Sequence, residues 1–135
     1  MVINPEVFKK AQEEIDQVVG NDRLPDFEDR KSLPYLECVL KELYRGMSRD
    51  PVQYPDPEEF LPERFADSSQ SEADDYNPRT FVFGFGRRRC PGQLFADGNV
   101  YLVMANIIAA MDISREKDEH GREIIPTPEF TSGLI

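Results

Sequence analysis

The residues around Cys90 are of the types that stabilise a thiolate. An arginine triplet at 87–89 stands directly before this cysteine. Residues from about 92 to 111 are predicted to form a helix, which places the sulfur at a helix start. Free backbone N–H groups and the positive end of the helix dipole favour an anion there. Neighbouring arginine charges lower a thiol pKa further, so the sequence predicts a thiolate ligand.

Small and aromatic residues on both sides of the cysteine are expected to hold it rigidly. Gly86 and Gly92 allow a positive φ or a close backbone approach that a side chain would hinder. Pro91 fixes φ beside the sulfur. Phe83 and Phe85 are expected to cover the sulfur and exclude water. For an isolated cysteine the alternative is an inert buried thiol.

Three helices are predicted to position this segment. Residues 5–19 and 34–45 each begin with a proline, which suits a first helical turn, and each has one apolar face. Residues 92–111 are apolar on most of their circumference and are predicted to be buried. The predicted apolar face of the second helix consists of Leu36, Val39, Leu40 and Leu43.

The remaining segments predict little regular structure. Four prolines in residues 51–65 disfavour a long helix or a central strand. Residues 66–79 are acidic and rich in serine, which predicts a mobile surface loop. Near the end, residues 124–125 and 130–135 are predicted to form short strands. The fold class is therefore mainly α with minor β.

Composition limits the classes of partner and site. The 135 residues suggest one domain or a piece of one, and the net charge of −10 disfavours nucleic acid and anionic membrane surfaces. Two cysteines provide no disulfide framework, and with one histidine they do not match a zinc site. Cys38 is interpreted as a core residue. No signal peptide is recognisable, and the apolar run at 100–111 is too short to span a membrane.

The segment from Phe83 to Gly92 fills every fixed position of the pattern Phe-x-x-Gly-x-Arg-x-Cys-x-Gly. This pattern resembles the haem-binding signature of cytochromes P450. The resemblance implies that Cys90 is the axial thiolate ligand of the iron of haem b, iron protoporphyrin IX. It also implies that Arg88 pairs with a haem propionate, while Phe83, Gly86 and Gly92 form the loop scaffold. An axial thiolate favours O–O cleavage at haem iron.

Two further motifs resemble the same family in the same order. Glu42 and Arg45 match the Glu-x-x-Arg of the family's helix K, and residues 60–65 match Phe-x-Pro-Glu-Arg-Phe. Taken alone, Glu42 and Arg45 would be an exposed pair, on the helix face opposite the apolar one, worth only tenths of a kcal/mol. The resemblance implies instead that Arg64 joins them in a buried structural triad.

The resemblance extends over the whole chain and implies a partial cytochrome P450 fold. Residues 1–45 are similar to helices J and K, and 46–80 to the K′ region and the meander with an acidic loop. Residues 81–92 are similar to the haem-binding cysteine loop. Residues 93–112 resemble helix L, and 113–135 resemble part of the C-terminal β region.

The chain also departs from the family pattern, which is of the eukaryotic microsomal type. Nothing corresponds to the membrane anchor or to helices A to I, so the acid–threonine motif of helix I is absent and no catalytic residue is assigned beyond the haem ligand. Several dozen residues are missing where Arg45 meets Gly46, which indicates an internal deletion. We therefore expect exposed apolar surface on the helix after Cys90 and a marginally stable, association-prone chain.

Three hypotheses of function follow from the resemblance. The first is a monooxygenase that uses O2, a small organic substrate, and electrons from NADPH through cytochrome P450 reductase. Family members lie at the endoplasmic reticulum membrane on the cytosolic face; without the anchor, this chain is expected to be cytoplasmic. The second hypothesis is a non-catalytic fragment that binds haem or contacts the reductase through Arg87 and Arg89. The third is a non-functional gene fragment.

Overall fold

The computed structural model describes residues 2–48, 50–67 and 76–127. Three helices of more than one turn account for most of its regular structure, and their bounds agree with the predicted ones to within one residue. These three are α1 (Pro5–Val18), α2 (Pro34–Arg45) and α4 (Gln93–Ala110). A helix of a single turn, α3 (Arg79–Val82), precedes α4. Short 3-10 helices occupy Asp29–Ser32, Pro62–Phe65 and Gly86–Arg88.

A carboxylate from α1 caps the start of α2. The backbone N–H of Tyr35 donates to Oε1 of Glu14 at 2.8 Å, and the N–H of Leu36 donates to Oε2 at 2.9 Å. The first N–H groups of a helix have no partner within the helix, so this side chain satisfies two of them. Glu14 therefore fixes the relation between α1 and α2 at one end.

The main core lies where α1, α2 and α4 meet. Its buried members are Phe8, Ala11, Ile15, Leu33, Leu36, Leu40, Tyr44, Tyr101, Ala105 and Ile108. On α4 the buried positions are Asp97, Tyr101, Ala105 and Ile108, which follow one another at intervals of three or four residues. The predicted burial of α4, whose apolar residues cover most of its circumference, is therefore wrong, because the helix packs on one face only. Its opposite side exposes apolar residues such as Phe95 and Val103, which agrees with the expected exposed apolar surface.

The buried face of α2 differs from the predicted apolar face. Leu36, Val39 and Leu40 are buried as predicted, but Leu43 is 49 % exposed. Glu42 and Arg45, predicted from helical spacing alone to lie on the outer face, are 0 % and 3 % exposed. The proline-rich segment that follows α2 packs over the last turn and accounts for the difference.

A second, smaller core holds that proline-rich segment against α2. Cys38, Tyr54 and Phe65 are buried in it, which agrees with the core interpretation of Cys38. Burial raises the pKa of the Cys38 thiol. As predicted, residues 51–65 form turns with no long helix or strand, and their one regular element is the 3-10 helix Pro62–Phe65.

Two predicted loop and strand segments are only partly described. Residues 68–75 of the acidic loop lie outside the described residues, but the end of that predicted loop is ordered, since Arg79 begins α3. Up to residue 127, the tail contains a single antiparallel bridge, between Lys117 and Glu123. Residues 124–125 are in no strand, so the strand predicted there is wrong. Residues 130–135 lie outside the described range.

The described chain is thus mainly helical, with a minor β contribution limited to that bridge. Across residues 2–48, 50–67 and 76–127, no helix combines the length and the apolar character needed to cross a bilayer.

Candidate functional site

The segment between α3 and α4 forms a loop closed by its own backbone. The N–H of Cys90 donates to the carbonyl oxygen of Phe83 at 2.9 Å, which brings the cysteine back over the end of α3. Gly84 and Gly86 have φ values of 80° and 57°, in the left-handed region that favours glycine. Gly86 was selected from the sequence for this property, whereas Gly84 was not.

Cys90 is exposed at the entrance to α4. Its carbonyl oxygen accepts from the N–H of Gln93, the first residue of that helix, at 3.3 Å. Gly92 has a φ of −86°, so no positive φ requires a glycine there. A Cβ at this position would lie 3.8 Å from the Cys90 Sγ, in ordinary contact with the sulfur. Gly92 therefore keeps the space beside the sulfur open.

The two phenylalanines do not cover the sulfur as the sequence interpretation expected. The ring of Phe83 packs edge-on against Tyr44 of α2, with the ring centroids 5.7 Å apart. Phe85 is 72 % exposed, and Cys90 itself is exposed. Phe83 acts on the cysteine through its carbonyl oxygen while its ring joins the core, because the ring gains more apolar contact there.

The arginine triplet at 87–89 is exposed along its whole length. Within the described residues, none of these three side chains forms an ion pair or a hydrogen bond with another side chain. The five N–H donors of each guanidinium are therefore not occupied by any side chain of the described residues. The apolar side chains of Leu94 and Phe95, 88 % and 79 % exposed, follow on the first turn of α4.

Glu42, Arg45 and Arg64 come together beneath the proline-rich segment. Oε1 of Glu42 accepts from Nε of Arg45 at 3.1 Å and from Nη2 at 2.8 Å. Oε2 of Glu42 lies 3.1 Å from Nε of Arg64, an ion pair whose angles fall outside those of a hydrogen bond. The backbone N–H of Leu61 donates a further bond to Oε1 at 3.0 Å. One carboxylate thus faces two arginines in a nearly dry environment.

Both arginines of this triad extend to backbone carbonyls of the proline-rich segment. Arg45 Nη1 donates to the oxygen of Pro57 at 2.6 Å, and Arg64 Nη1 donates to that of Pro55 at 2.6 Å. The planar guanidinium fork permits such simultaneous contacts. The triad therefore fixes residues 55–59 onto the C-terminal turn of α2.

A ring of four charged side chains links the elements around the cysteine loop, and no sequence pattern indicated it. Arg79 of α3 donates from Nε to Oδ1 of Asp97 on α4 at 2.6 Å, and its Nη1 lies 2.7 Å from Oε1 of Glu37 on α2. Arg30, in the 3-10 helix Asp29–Ser32, completes the ring. Its Nη2 lies 2.7 Å from Oδ2 of Asp97, and its Nε lies 3.1 Å from Oε2 of Glu37.

The environment of this ring affects the ionisation of its members. Burial alone would raise the pKa of Asp97, but the hydrogen bonds and charges of Arg79 and Arg30 outweigh it and hold that pKa below its ordinary value. Burial, with the nearby Asp97 carboxylate, raises the pKa of Tyr44 to about 12. Asp97 is therefore a stable anion at neutral pH, and Tyr44 stays protonated.

Comparison with known proteins identifies the family. The family model described as cytochrome P450 matches residues 1–46 and 43–133. The chain belongs to the cytochrome P450 family. The match includes the cysteine loop, α4 and the triad residues.

Fungal cytochromes P450 are among its relatives. Over the whole chain, it is 44 % identical to cytochrome P450 monooxygenase 176 of Postia placenta and covers 33 % of that protein. It is 41 % identical to cytochrome P450 monooxygenase claR of Ampulloclitocybe clavipes, of which it covers 32 %. It is 33 % identical to the multifunctional cytochrome P450 monooxygenase af510 of Aspergillus fumigatus, of which it covers 31 %. The chain spans about a third of the length of these curated relatives.

The cytochrome P450 match is interrupted where the sequence predicted a deletion. Its two segments meet at residues 43–46, next to the join of Arg45 and Gly46. The alignment with the first Postia placenta relative extends over 170 positions against the 135 residues of this chain, a difference of 35. Both observations agree with the predicted internal deletion after α2.

Haem is the cofactor that cytochromes P450 use, and the surface around Cys90 suits its chemistry. A cysteine thiolate is one of the protein ligands that haem iron accepts, and Cys90 offers an exposed sulfur. An apolar macrocycle with two carboxylates would meet exposed Leu94 and Phe95 and the exposed arginines at 87–89. The residues present therefore fit the group. Cytochromes P450 in general also act with redox partners.

Proposed function

We propose that this chain forms the proximal, haem-binding part of a cytochrome P450 monooxygenase. Cys90 is the axial thiolate ligand of the iron of haem b. The observation that supports this most strongly is the exposure of Cys90 at the start of α4, beside three arginines that lack partners among the described residues. A structural cysteine would be buried, as Cys38 is.

The neighbouring residues have separate roles toward the haem. Arg88 pairs with a propionate through a charge-assisted hydrogen bond. Phe83 anchors the loop by its ring and accepts the Cys90 N–H with its carbonyl oxygen. Gly86 provides the left-handed turn before the arginines, and Gly92 leaves room beside the sulfur. Glu42, Arg45 and Arg64 form the structural triad that holds the segment after α2.

When bound, haem supplies the activation of O2 and the insertion of one oxygen atom into a small organic substrate. The chain contributes the thiolate at Cys90, whose electron donation favours O–O cleavage. The electrons come from NADPH through cytochrome P450 reductase at the cytosolic face of the endoplasmic reticulum membrane. No other residue of this chain is assigned a catalytic role.

Arg87 and Arg89 form the docking site for that reductase. Both side chains are exposed and carry charge that no described residue neutralises. An acidic partner surface would complement them and accelerate association. Reversal of both charges, Arg87→Glu with Arg89→Glu, should slow electron transfer at low salt. An unchanged rate would exclude this docking role.

The interrupted family match favours a second candidate, a non-catalytic haem-binding or reductase-binding fragment. The two matched segments meet next to Arg45 and Gly46, and the alignment with the first relative is longer than this chain. A connection that the relatives have is therefore shortened here. Such a chain would still hold haem through Cys90 and contact a reductase through Arg87 and Arg89. It would not oxidise a substrate.

Haem titration of the purified chain tests the proposal. The chain is mixed with haem, reduced and exposed to CO, and the Soret band is recorded. We expect a red-shifted thiolate-type band that disappears in Cys90→Ala and persists in the matched control Cys38→Ala. Absence of haem uptake by the unmodified chain would refute the proposal. Haem uptake without substrate oxidation, in the presence of reductase, would favour the second candidate.

A further inference from the structure

We propose that Arg79 and Asp97 are positioning residues for Cys90. Their ion pair joins the segment before the cysteine loop to the helix after it, and so determines where the sulfur is held. The consequence for the haem rests on the function proposed above, but the effect on the loop itself does not.

The position of the pair along the chain is the first support. Arg79 begins α3, eleven residues before Cys90, and Asp97 lies on the second turn of α4, seven residues after it. The two side chains meet across the base of the loop, with Nε to Oδ1 at 2.6 Å. The loop therefore has a side-chain closure at its base in addition to the backbone bond between Cys90 and Phe83.

The loop has few other means of holding its shape. Every residue from 85 to 92 is exposed, so the described core packs against none of them closely. Apart from the bonds that begin α4, the stretch has two backbone bonds, from Cys90 to Phe83 at 2.9 Å and from Arg89 to Gly86 at 3.3 Å. An exposed loop with so few contacts takes its orientation from its two ends.

Those two ends are held firmly. The Asp97 and Arg79 side chains are 12 % and 13 % exposed, so solvent screens their interaction weakly. The Arg79 guanidinium also lies over the Tyr44 ring, 5.5 Å from its centroid, and the Phe83 ring makes a T-shaped contact with the same tyrosine. Arg79 and Phe83 lie at the two ends of α3, and both contact Tyr44 of α2.

Arg30 provides a matched control within the same ring. It also contacts both Asp97 and Glu37, and it also stacks on an aromatic ring, that of Tyr101 at 5.0 Å. Unlike Arg79, it belongs to an element that does not flank the cysteine loop. If the ring contributes only general stability, losing either arginine should affect the loop equally.

The experiment compares Arg79→Gln with Arg30→Gln in the full chain. Amide hydrogen exchange at Cys90 is measured relative to Leu40 in the core of α2, which corrects for any global loss of stability. We expect Arg79→Gln to accelerate relative exchange at Cys90 by about tenfold, the order that loss of a charge-assisted hydrogen bond allows. Arg30→Gln should leave this ratio unchanged. Equal effects of the two variants on the ratio would overturn the proposal.

A spectroscopic measurement extends the test to the haem-loaded chain. Arg79→Gln should lower the fraction of the reduced CO complex that shows the thiolate-type Soret band, and Arg30→Gln should not. If the unmodified chain takes up no haem, the proposed function fails and the exchange ratio alone decides the positioning role. If Arg79→Gln does not fold, Arg79→Lys replaces it, because this variant keeps the charge but lacks the planar fork that contacts Asp97 and Glu37. An unchanged exchange ratio in Arg79→Lys would refute the role.

Discussion

Two groups of arginines in this chain have opposite surroundings. Arg45 and Arg64 lie against Glu42 beneath the proline-rich segment, and their remaining donors bond to backbone carbonyls. The arginines at 87–89 are exposed and have no such partners within the described residues. The donors of the first group are engaged by groups inside the protein, so these arginines stabilise the fold. The donors of the second group are not occupied by side chains of the described residues, so these arginines can serve a cofactor or a partner.

The largest expected effect follows removal of the shared acid in the buried group. Glu42→Gln leaves Arg45 and Arg64 without a compensating charge, which costs about 3–5 kcal/mol for a buried pair. That loss is comparable to the whole stability of a small domain. We expect loss of the cooperative urea transition followed by circular dichroism. Glu13→Gln, which removes an exposed partner of Lys9, is the control and should change little.

A cooperative transition of Glu42→Gln near that of the unmodified chain would break the comparison. It would mean that solvent reaches the two arginines and screens them as it does those of the loop.

In the exposed group, a substitution should alter ligand binding without altering the fold. Arg88→Ala is expected to lower haem affinity about tenfold, because a hydrogen bond to a charged propionate is lost. Its free energy of unfolding should stay within about 0.5 kcal/mol of the unmodified value. Haem titration and urea unfolding of the same samples measure both quantities. A loss of stability with unchanged haem affinity would place Arg88 with the buried group instead.

A smaller loss of unfolding free energy is expected when the backbone conformation of the loop, and not one of its side chains, is disturbed. Gly84 has a φ of 80°, so Gly84→Ala should cost roughly 1–2 kcal/mol in unfolding free energy. Gly92→Ala is the matched control, since its φ of −86° suits any residue and its Cβ would make an ordinary contact with Cys90. Equal losses in thermal unfolding of the two variants would show that φ at Gly84 is not what the loop requires.

The smallest expected effect is a pH dependence from the ion-pair ring. The pKa of Asp97 is held below its ordinary value, so the unfolded chain binds a proton there at higher pH than the folded chain does. This contribution to stability is present above the ordinary aspartate pKa of about 4 and is lost as the pH falls through the lowered value. Urea unfolding from pH 7 to pH 3 should show a shallower decline in Asp97→Asn. An identical decline in both proteins would remove Asp97 as the source.

The sequence predicted the helices well because their signals are local. Pro5 and Pro34 fit first turns, and apolar spacing marks the faces that α1 and α2 bury. The cysteine loop was also recognisable, since its fixed residues lie within ten positions. For α4, composition predicted the helix but could not indicate which side would find a packing partner.

The charged clusters could not be derived from local patterns. Helical spacing places Glu42 and Arg45 on one face of α2, but their burial depends on a segment that ends about twenty residues later, at Arg64. Only the family resemblance anticipated it. Arg79 and Asp97 are eighteen residues apart, and neither follows a periodic pattern that signals a partner. Ion pairs between separate elements leave no trace in sequence periodicity, so the ring became evident only in the structure.

The ion pair between Glu42 and Arg64 also bears on how the chain tolerates its internal deletion. It closes a loop that contains the join of Arg45 and Gly46, and both ends of that loop are retained. The conformational entropy lost on closing a loop grows only with the logarithm of its length, so 35 fewer residues reduce the cost by about 1 kcal/mol. The shortened connection thus makes closure entropically easier, and the deletion leaves the contacts that close the loop in place.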